Sequence, residues 1–338
     1  MRTLQTIAST LGGGMLLALA ATSGAQAQAW LTIDLPDADQ YSPASAGMNA
    51  NSTIAGTYST TDGTSLGFVR TSDGTLTTFA PVQGGTTNVT GLNKKGDVTG
   101  FAFSQSGAQS YLRTADGQIT MLTAPGGGNV SAGCINDSGT IAGSFLNNSS
   151  FDGFVRTADG TFTSFKIKGG HTIYVDALSN KGVIAGTYDN GLHGYLRGKA
   201  GKITRFDVSG AIYLNVAAIT NDNVIAGSYQ DSSYKTHAFI RQVDGTITTF
   251  DEPDASGSTY VTGMNDDGTI VGSYGDGIGR LHGYARNALG VFATLDDSLG
   301  TNGTGIQHIS PNGKMVATYT DTDRTVHLAR VNAAATGF

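Results

Sequence analysis

The chain has 338 residues, and its composition excludes several classes of function. Charged residues make up 14 % of it, against ~25 % in typical soluble domains. The net charge of −6 argues against binding to nucleic acid or to an anionic membrane, since both require a basic surface. Cys134 is the single cysteine, so a disulfide within the chain is excluded.

Residues 1–29 have the pattern of a signal peptide. Arg2 precedes the apolar run "IASTLGGGMLLALAA", and "AQAQA" offers small-residue cleavage sites after Ala27 or Ala29. The run is shorter than the ~20 residues that span a bilayer. We therefore expect an exported, periplasmic or extracellular protein with no membrane span.

The stretch "AWLTIDLP", from Ala29, reads as a short strand closed by proline. It has no strand next to it in the sequence with which to pair. Beyond it the chain alternates short runs of Val, Ile, Phe and Tyr with turns rich in Gly, Asn and Asp. No amphipathic stripe of helical period interrupts this pattern. An all-β fold follows.

A repeat of about 41 to 45 residues defines the architecture. A motif of Ile-Ala-Gly, then Ser or Thr, then an aromatic residue begins at Ile54, Ile141, Ile184, Ile225 and Ile270, with degenerate copies at Val98 and Val316. Downstream of each copy an arginine ends an apolar run, at Arg70, Arg113, Arg156, Arg197, Arg241, Arg286 and Arg330. Each unit reads as four strands with tight Gly turns, which is typical of a propeller blade. Residues 30–338 are predicted to form a single seven-bladed β-propeller with four antiparallel strands per blade.

The seven units contain only six fourth strands. The last unit ends at "HLARVNAAATGF" without one, and "AWLTIDLP" matches the missing strand: Trp30 aligns with Ile247 and Ile33 with Phe250. We predict that the N-terminal strand completes the last blade, closes the ring and removes a free sheet edge.

The repeat resembles the bacterial extracellular HAF-repeat family, named for a His-Ala-Phe triplet that stands here at His237, Ala238 and Phe239. The likeness extends from about Trp30 to Arg330, with "HGY" and "GF" variants in other units. The layout with an N-terminal closing strand is also similar to WD-repeat propellers. The resemblance implies secretion and a repeat-built fold, and it supplies no catalytic residues.

Residues that recur in every unit are predicted to serve the blade. The repeated arginines are followed by Asp73, Asp116, Asp159 and Asp244 in four units, which predicts an ion pair or a turn hydrogen bond. His193, His237 and His282 stand four residues before their arginines, and His327 is one residue out of register. Each follows an aspartate in the same loop, so each histidine could act as a base or share a metal. Loop capping is the favoured interpretation.

Non-repeated residues early in the first strands are the better site candidates, because they should line the channel mouth beside the histidine loops. Tyrosine faces and amides suit a sugar. The binding candidates are Tyr41, Asn88, Asp176, Tyr213, Asn215, Tyr260, Gln307 and His308, with the loop residues His193, His237 and His282. His171 and Tyr174 are the catalytic candidates, as an acid–base pair.

Three functions remain open. The favoured one is a monomeric secreted protein that binds an extracellular glycan or protein. The second is a polysaccharide lyase or hydrolase that uses His171, Tyr174 and a loop histidine as acid–base groups. The third is a non-catalytic structural protein of the envelope or matrix. No cofactor is predicted, although a divalent metal stays possible, and no nucleophile elbow, zinc or phosphate-loop motif occurs.

Overall fold

The computed structural model describes residues 30–42, 44–105, 107–124 and 129–331. The predicted signal peptide lies outside these residues. The described chain forms 28 strands, and it contains no helix.

The strands form seven four-stranded antiparallel sheets, which confirms the predicted propeller. Blade 1 contains β2 (Ala44–Met48), β3 (Ile54–Ser59), β4 (Ser65–Arg70) and β5 (Leu76–Phe79); blade 2 contains β6 (Thr86–Leu92), β7 (Val98–Ser104), β8 (Gly107–Arg113) and β9 (Ile119–Leu122). Blade 3 contains β10 (Val130–Ile135), β11 (Ile141–Asn147), β12 (Ser150–Arg156) and β13 (Phe162–Phe165); blade 4 contains β14 (Ile173–Leu178), β15 (Ile184–Tyr188), β16 (His193–Arg197) and β17 (Ile203–Phe206). Blade 5 contains β18 (Tyr213–Ile219), β19 (Ile225–Gln230), β20 (Thr236–Arg241) and β21 (Ile247–Phe250); blade 6 contains β22 (Thr259–Met264), β23 (Ile270–Gly275), β24 (Leu281–Arg286) and β25 (Phe292–Thr294). Blade 7 contains β26 (Gly303–Ile309), β27 (Met315–Thr320), β28 (Val326–Val331) and β1 (Trp30–Ile33).

The N-terminal strand closes the ring as predicted. β1 pairs antiparallel with β28, with Trp30 opposite Val331 and Ile33 opposite Leu328. Ile33 is buried in a cluster that joins blade 7 to blade 1 through Met48. The first and last strands of the described chain are therefore held in one sheet.

The first strands contact one another around the ring and line the central channel. In an antiparallel blade, the connections between strands 2 and 3 and those from strand 4 to the next blade share one end of the sheet. We call this end of the ring the loop face. The hairpins between strands 1 and 2 and between strands 3 and 4 form the opposite end, the turn face. A functional site that uses the long loops must therefore lie on the loop face.

Four of the seven repeated arginines, Arg113, Arg197, Arg241 and Arg286, lie over an aromatic ring of the preceding blade. The Arg241 guanidinium lies 5.4 Å from the centre of the Phe206 ring on the preceding blade, and Arg286 lies 4.7 Å from that of Phe250. The predicted aspartate partners do not pair with them within the described residues. Instead the Asp73 carboxylate accepts hydrogen bonds from the Thr71 hydroxyl and the Thr75 amide in the turn. These arginines therefore serve the structure of the ring, as predicted, but their partner is an aromatic side chain and not an aspartate.

In blade 7 the arginine is not at the position that the repeat predicts. Arg286 lies opposite Ile270 in blade 6, but Val331 occupies the matching place opposite Met315. Arg330 is one position earlier and lies on the other side of the sheet. His327 lies opposite Tyr319, as His282 lies opposite Tyr274. The histidine is therefore in register and the arginine is not.

Candidate functional site

Exposed apolar side chains are concentrated on the loop face. Among the described residues, 16 large hydrophobic side chains are exposed, and 11 of them lie in the loops of this face or beside them. They are Tyr41, Phe103, Tyr174, Leu192, Ile212, Tyr213, Tyr234, Tyr260, Ile278, Leu281 and Leu299. This concentration makes the loop face the candidate surface for contact with a ligand or a partner.

The loop face is also acidic. Its loops and adjoining strand ends carry 16 acidic residues: Asp34, Asp37, Asp39, Asp62, Asp152, Asp189, Asp207, Asp231, Asp251, Glu252, Asp254, Asp276, Asp296, Asp297, Asp321 and Asp323. The basic residues there are 6: Lys166, Lys168, Arg205, Lys235, Arg280 and Arg324. This field attracts cations and repels polyanions.

The loop histidines are held by aspartates and by a tyrosine in the same blade. His237 Nδ1 lies 2.9 Å from Asp251 Oδ1, and Nε2 lies 3.3 Å from Asp231 Oδ2. Its ring stacks on Tyr229 with the ring centres 5.2 Å apart. His282 is held in the same way, and its Nδ1 lies 2.6 Å from Asp296 Oδ2. His193 pairs with Asp207 rather than with Asp189, the aspartate that precedes it in the same loop.

A charge swap in blade 3 shows that this arrangement is structural. Asp152 occupies the histidine position there, and Lys166 occupies the position of Asp251; their side chains pair at 3.3 Å. Blades 1 and 2 have uncharged residues at both positions. Since the two positions change together, the pair serves the blade in which it occurs, and within the described residues the histidines of different blades are not gathered into one metal-binding group. Burial opposes charging of the His282 imidazole, but hydrogen bonds to Asp296 and Asp276 outweigh it and raise the pKa of His282.

The two catalytic candidates are not brought together as an acid–base pair. The His171 side chain is 87 % exposed, and Nδ1 lies 3.5 Å from Asp189 Oδ1. The backbone amide of His171 donates to the same carboxylate. Tyr174 lines a cleft to which His171 does not contribute. The sequence pattern correctly places both residues on the loop face but does not fix where their side chains point.

Tyr174 belongs to a cleft of about 450 Å³ between blades 2, 3 and 4, which we call the aromatic cleft. Its walls include Phe101, Phe103, Phe151 and Tyr174, and Asp176 is its charged residue. Phe101 and Phe103 pack edge to face with centres 5.3 Å apart. The cleft can therefore hold an apolar or aromatic body next to one carboxyl group.

Asp176 lies in a β-bulge of β14, between Val175 and Ala177. It lines both the aromatic cleft and the central channel. Its Oδ2 has one side-chain hydrogen bond, a long one of 3.4 Å from the Thr187 hydroxyl. Burial raises the pKa of Asp176 to about 7. The group is thus poised between its neutral and charged forms near neutral pH.

A second cleft, of about 780 Å³, lies between blades 5 and 6, and we call it the tyrosine groove. It brings together three of the predicted binding residues, Tyr213, Asn215 and Tyr260. The residues Tyr213 and Tyr260 are 48 % and 41 % exposed. Tyr213 packs on Gly191, where any Cβ would collide with the ring. The side chain of Asn215 is exposed, and its amide group has no hydrogen-bond partner among the described residues.

The other predicted residues lie outside both clefts. Tyr41 is 70 % exposed on the loop face, and Asn88 is half-buried with its carbonyl accepting a hydrogen bond from Tyr111. Gln307 and His308 were expected at the loop-face mouth, and this expectation is wrong. Gln307 lies inside the channel at a bulge. His308 lies near the turn face, where Nδ1 accepts a hydrogen bond from the Met48 amide, and burial lowers its pKa to about 4.

Sequence reasoning missed the phenylalanines of the aromatic cleft. Phe101 and Phe103 end the degenerate copy of the repeat that begins at Val98, where the other units continue with a polar loop. This departure from the repeat is the signal that could have identified them. The aspartates that follow the fourth strands were missed as well, although they occur in the units that carry a histidine.

In the described part of the chain, no helix is long and apolar enough to cross a bilayer. The same residues contain no group of three or more His, Cys, Asp or Glu arranged to hold a metal ion.

Comparison with known structures shows the propeller fold alone, because all identities are low. A catalytically inactive variant of virginiamycin B lyase from Staphylococcus aureus with quinupristin is 14 % identical, with a TM-score of 0.62 over 89 % of this chain and 99 % of that one. The propeller domain of the Trilobed protease from Pyrococcus furiosus, described as having an open velcro topology, is 9 % identical, with a TM-score of 0.58 over 85 % and 91 %. YCF48 bound to a D1 peptide is 10 % identical, with a TM-score of 0.55 over 90 % and 97 %. No protein-family model and no curated protein matches the chain.

Proposed function

We propose that the chain is an exported, non-catalytic binding protein and that the tyrosine groove takes an uncharged segment of an extracellular glycan. The observation that carries this proposal is the meeting of Tyr213, Tyr260 and Asn215 in one open groove. The tyrosine faces can stack on the C–H surfaces of a sugar ring. The free amide of Asn215 can both donate to and accept from a hydroxyl. Export is supported by the leader pattern and by the resemblance to the HAF-repeat family.

The charge of the loop face favours a neutral glycan over an acidic one. Acidic side chains outnumber basic ones 16 to 6 on this face, so a polyanion would be repelled at moderate ionic strength. A lyase for acidic polysaccharides would need the opposite field. The separation of His171 from the cleft of Tyr174 also argues against the acid–base pair that such an enzyme would use.

Affinity electrophoresis through gels that contain neutral or acidic polysaccharides tests the proposal. We expect at least one neutral polysaccharide to retard the protein. Tyr213→Ala and Tyr260→Ala should each weaken this effect at least about twofold, in line with a loss of about 0.5–1.5 kcal/mol per aromatic contact. Asn215→Ala should weaken it as well.

Tyr41→Ala is the matched control, because Tyr41 is an exposed tyrosine on the same face but outside the groove. It should bind as the wild type does. Equal retardation of the groove variants and the wild type, or retardation by acidic polysaccharides only, would show that the groove is not a site for neutral glycans.

The 11 exposed apolar residues of the loop face support a protein partner as the second candidate. A protein would cover much of the face, including positions such as Tyr41 and Ile278, whereas a glycan segment would cover the groove alone. If no polysaccharide binds and Ile278→Asp abolishes capture of a purified partner, this second function replaces the first.

A further inference from the structure

The aromatic cleft has a charged group without a counterion. Asp176 carries the only carboxylate among the residues that line the cleft. Among the described residues, no Lys, Arg or His forms an ion pair with it. Asp176 is half-buried, and a carboxylate removed from water is costly unless it is paired, so this group either stays protonated or is completed by a cation from outside.

Two other blades have a hydroxyl group at the same bulge position. Thr90 and Thr262 occupy the same bulge in blades 2 and 6, and each hydroxyl donates to a carbonyl of the next blade, Ala132 at 2.7 Å and Ile306 at 2.6 Å. An ionised carboxylate at Asp176 has no proton to donate in this way. In its charged form Asp176 therefore cannot make the contact to the next blade that these two threonines make, and the repeat does not fix the residue type at this position.

The groups around Asp176 leave its charge without compensation. Cys134 lies beside it on blade 3, and burial together with Asp176 raises the pKa of the Cys134 thiol to about 12. Tyr195 lies beside it on blade 4, and burial and the same carboxyl raise the pKa of the phenol. His308 lines the channel at a distance, and burial lowers its pKa to about 4. All three are neutral at pH 7 to 8, so none of them supplies a positive charge.

Aromatic side chains line the cleft beside this carboxyl group. Phe103 is 49 % exposed and Tyr174 is 42 % exposed, and both line the same cleft as Asp176. A cation held over an aromatic face gains about 0.5–2 kcal/mol, and more as water is removed. The phenyl surfaces can at the same time cover an apolar body.

We propose that the aromatic cleft binds a small organic amine, with its protonated nitrogen at the Asp176 carboxylate and its apolar or aromatic body against Phe103 and Tyr174. The volume of about 450 Å³ suits a ligand of this size. The acidic loop face raises the local concentration of such cations. The cleft is separate from the tyrosine groove, so this inference does not depend on glycan binding.

Isothermal titration with 2-phenylethylamine and its uncharged analogue 2-phenylethanol tests the proposal on the purified protein. At pH 8 we expect the amine to bind at least tenfold more tightly than the alcohol. The preference should shrink at pH 5.5, because Asp176 is then protonated. Equal affinities for amine and alcohol at pH 8 would overturn the proposal.

Substitutions of residues that line the cleft test whether the amine binds there. Asp176→Asn should remove the preference for the amine, and Asp176→Thr, which copies Thr90, is a second variant that the fold accepts. Phe103→Ala should weaken binding of both probes. The control Asp267→Asn removes an exposed carboxylate from the turn face and should leave binding unchanged. An amine preference that survives in both Asp176 variants would refute the site.

Two further comparisons separate this site from the alternatives. N-acetyl-lysine amide presents the ammonium group of a lysine side chain in a peptide. Tighter binding of this probe than of 2-phenylethylamine would overturn the assignment to a free small amine and indicate a peptide ligand instead. Tyr213→Ala should leave amine binding intact. Loss of amine binding in this variant would place the amine in the tyrosine groove instead.

Discussion

Replacing Asp176 by asparagine should stabilise the protein at pH 8. The substitution keeps the size of the side chain and removes the charge that burial disfavours. Burial raises the pKa of Asp176 from 3.8 to about 7, which means that the folded protein holds this proton more tightly than the unfolded chain does. At pH 8 the folded protein must give up that proton, and its free energy of unfolding falls accordingly.

The size of the effect follows from the pKa. Each pKa unit corresponds to about 1.4 kcal/mol, so the full shift is worth about 4 kcal/mol as an upper bound. The side chain is partly exposed to the cleft, and water there screens part of the cost, which leaves about 2–4 kcal/mol. With an unfolding entropy of ~2.1 cal/mol/K per residue over about 300 residues, this corresponds to a rise in Tm of about 3–6 °C.

Thermal melting of the wild type and of Asp176→Asn at several pH values measures this difference. An acid with a raised pKa contributes full stability below its unfolded pKa and loses it as the pH rises through the folded one. The advantage of the variant should therefore be small near pH 4, grow between pH 4 and 7, and stay constant above about pH 8. The comparison must be made between variants, because His308, whose pKa is lowered to about 4, destabilises the fold over the same range as the pH falls.

Asp267→Asn serves as the control and should change Tm by less than about 1 °C at every pH, as surface substitutions usually do. An advantage of Asp176→Asn that is absent at pH 8, or that is equal at pH 4 and pH 8, would refute the burial of an uncompensated carboxylate at this position.

Two other substitutions test the strand that closes the ring and the contact between a loop histidine and its aspartates. Ile33→Ala should lower the free energy of unfolding by about 2–5 kcal/mol, because Ile33 is buried between blades 7 and 1; Leu31→Ala, on the exposed side of the same strand, should cost far less. Similar losses in chemical denaturation would contradict the closing role of β1. His282→Gln should destabilise the protein at pH 6 but much less at pH 9, since a raised histidine pKa adds stability that is lost as the pH rises through the folded value; a loss that does not depend on pH would contradict the charged Asp–His contact.

The fold could be predicted because its signals are local and repeated. Gly turns, short alternating strands and the aromatic residue after each Ile-Ala-Gly motif recur in most units, and the missing fourth strand has a recognisable match at Trp30–Ile33. The seventh unit was misaligned at its arginine, because Val331 is buried where other blades place a guanidinium. The letters "HLARV" alone do not show whether Arg330 or Val331 lies opposite Met315; the pairing with the neighbouring strand decides it.

The site was predicted only in part, because side-chain direction depends on features that the sequence does not mark. Tyr213 and Tyr260 follow the strand alternation and line the same groove. Beyond them, each first strand contains a bulge, and a bulge changes which residues face the channel. Thr90, Asp176 and Gln307 occupy it without a common residue type, so the positions of Gln307 and His308 could not be counted from the repeat.

The most direct test of the account is to incubate the purified protein with the neutral polysaccharide that retards it most, and to measure both the protein that stays bound and the size of the polysaccharide. A non-catalytic binding protein predicts that protein is withdrawn from solution while the chain length of the polysaccharide stays the same. Shortened chains or new oligosaccharides would contradict the account and make the protein an enzyme.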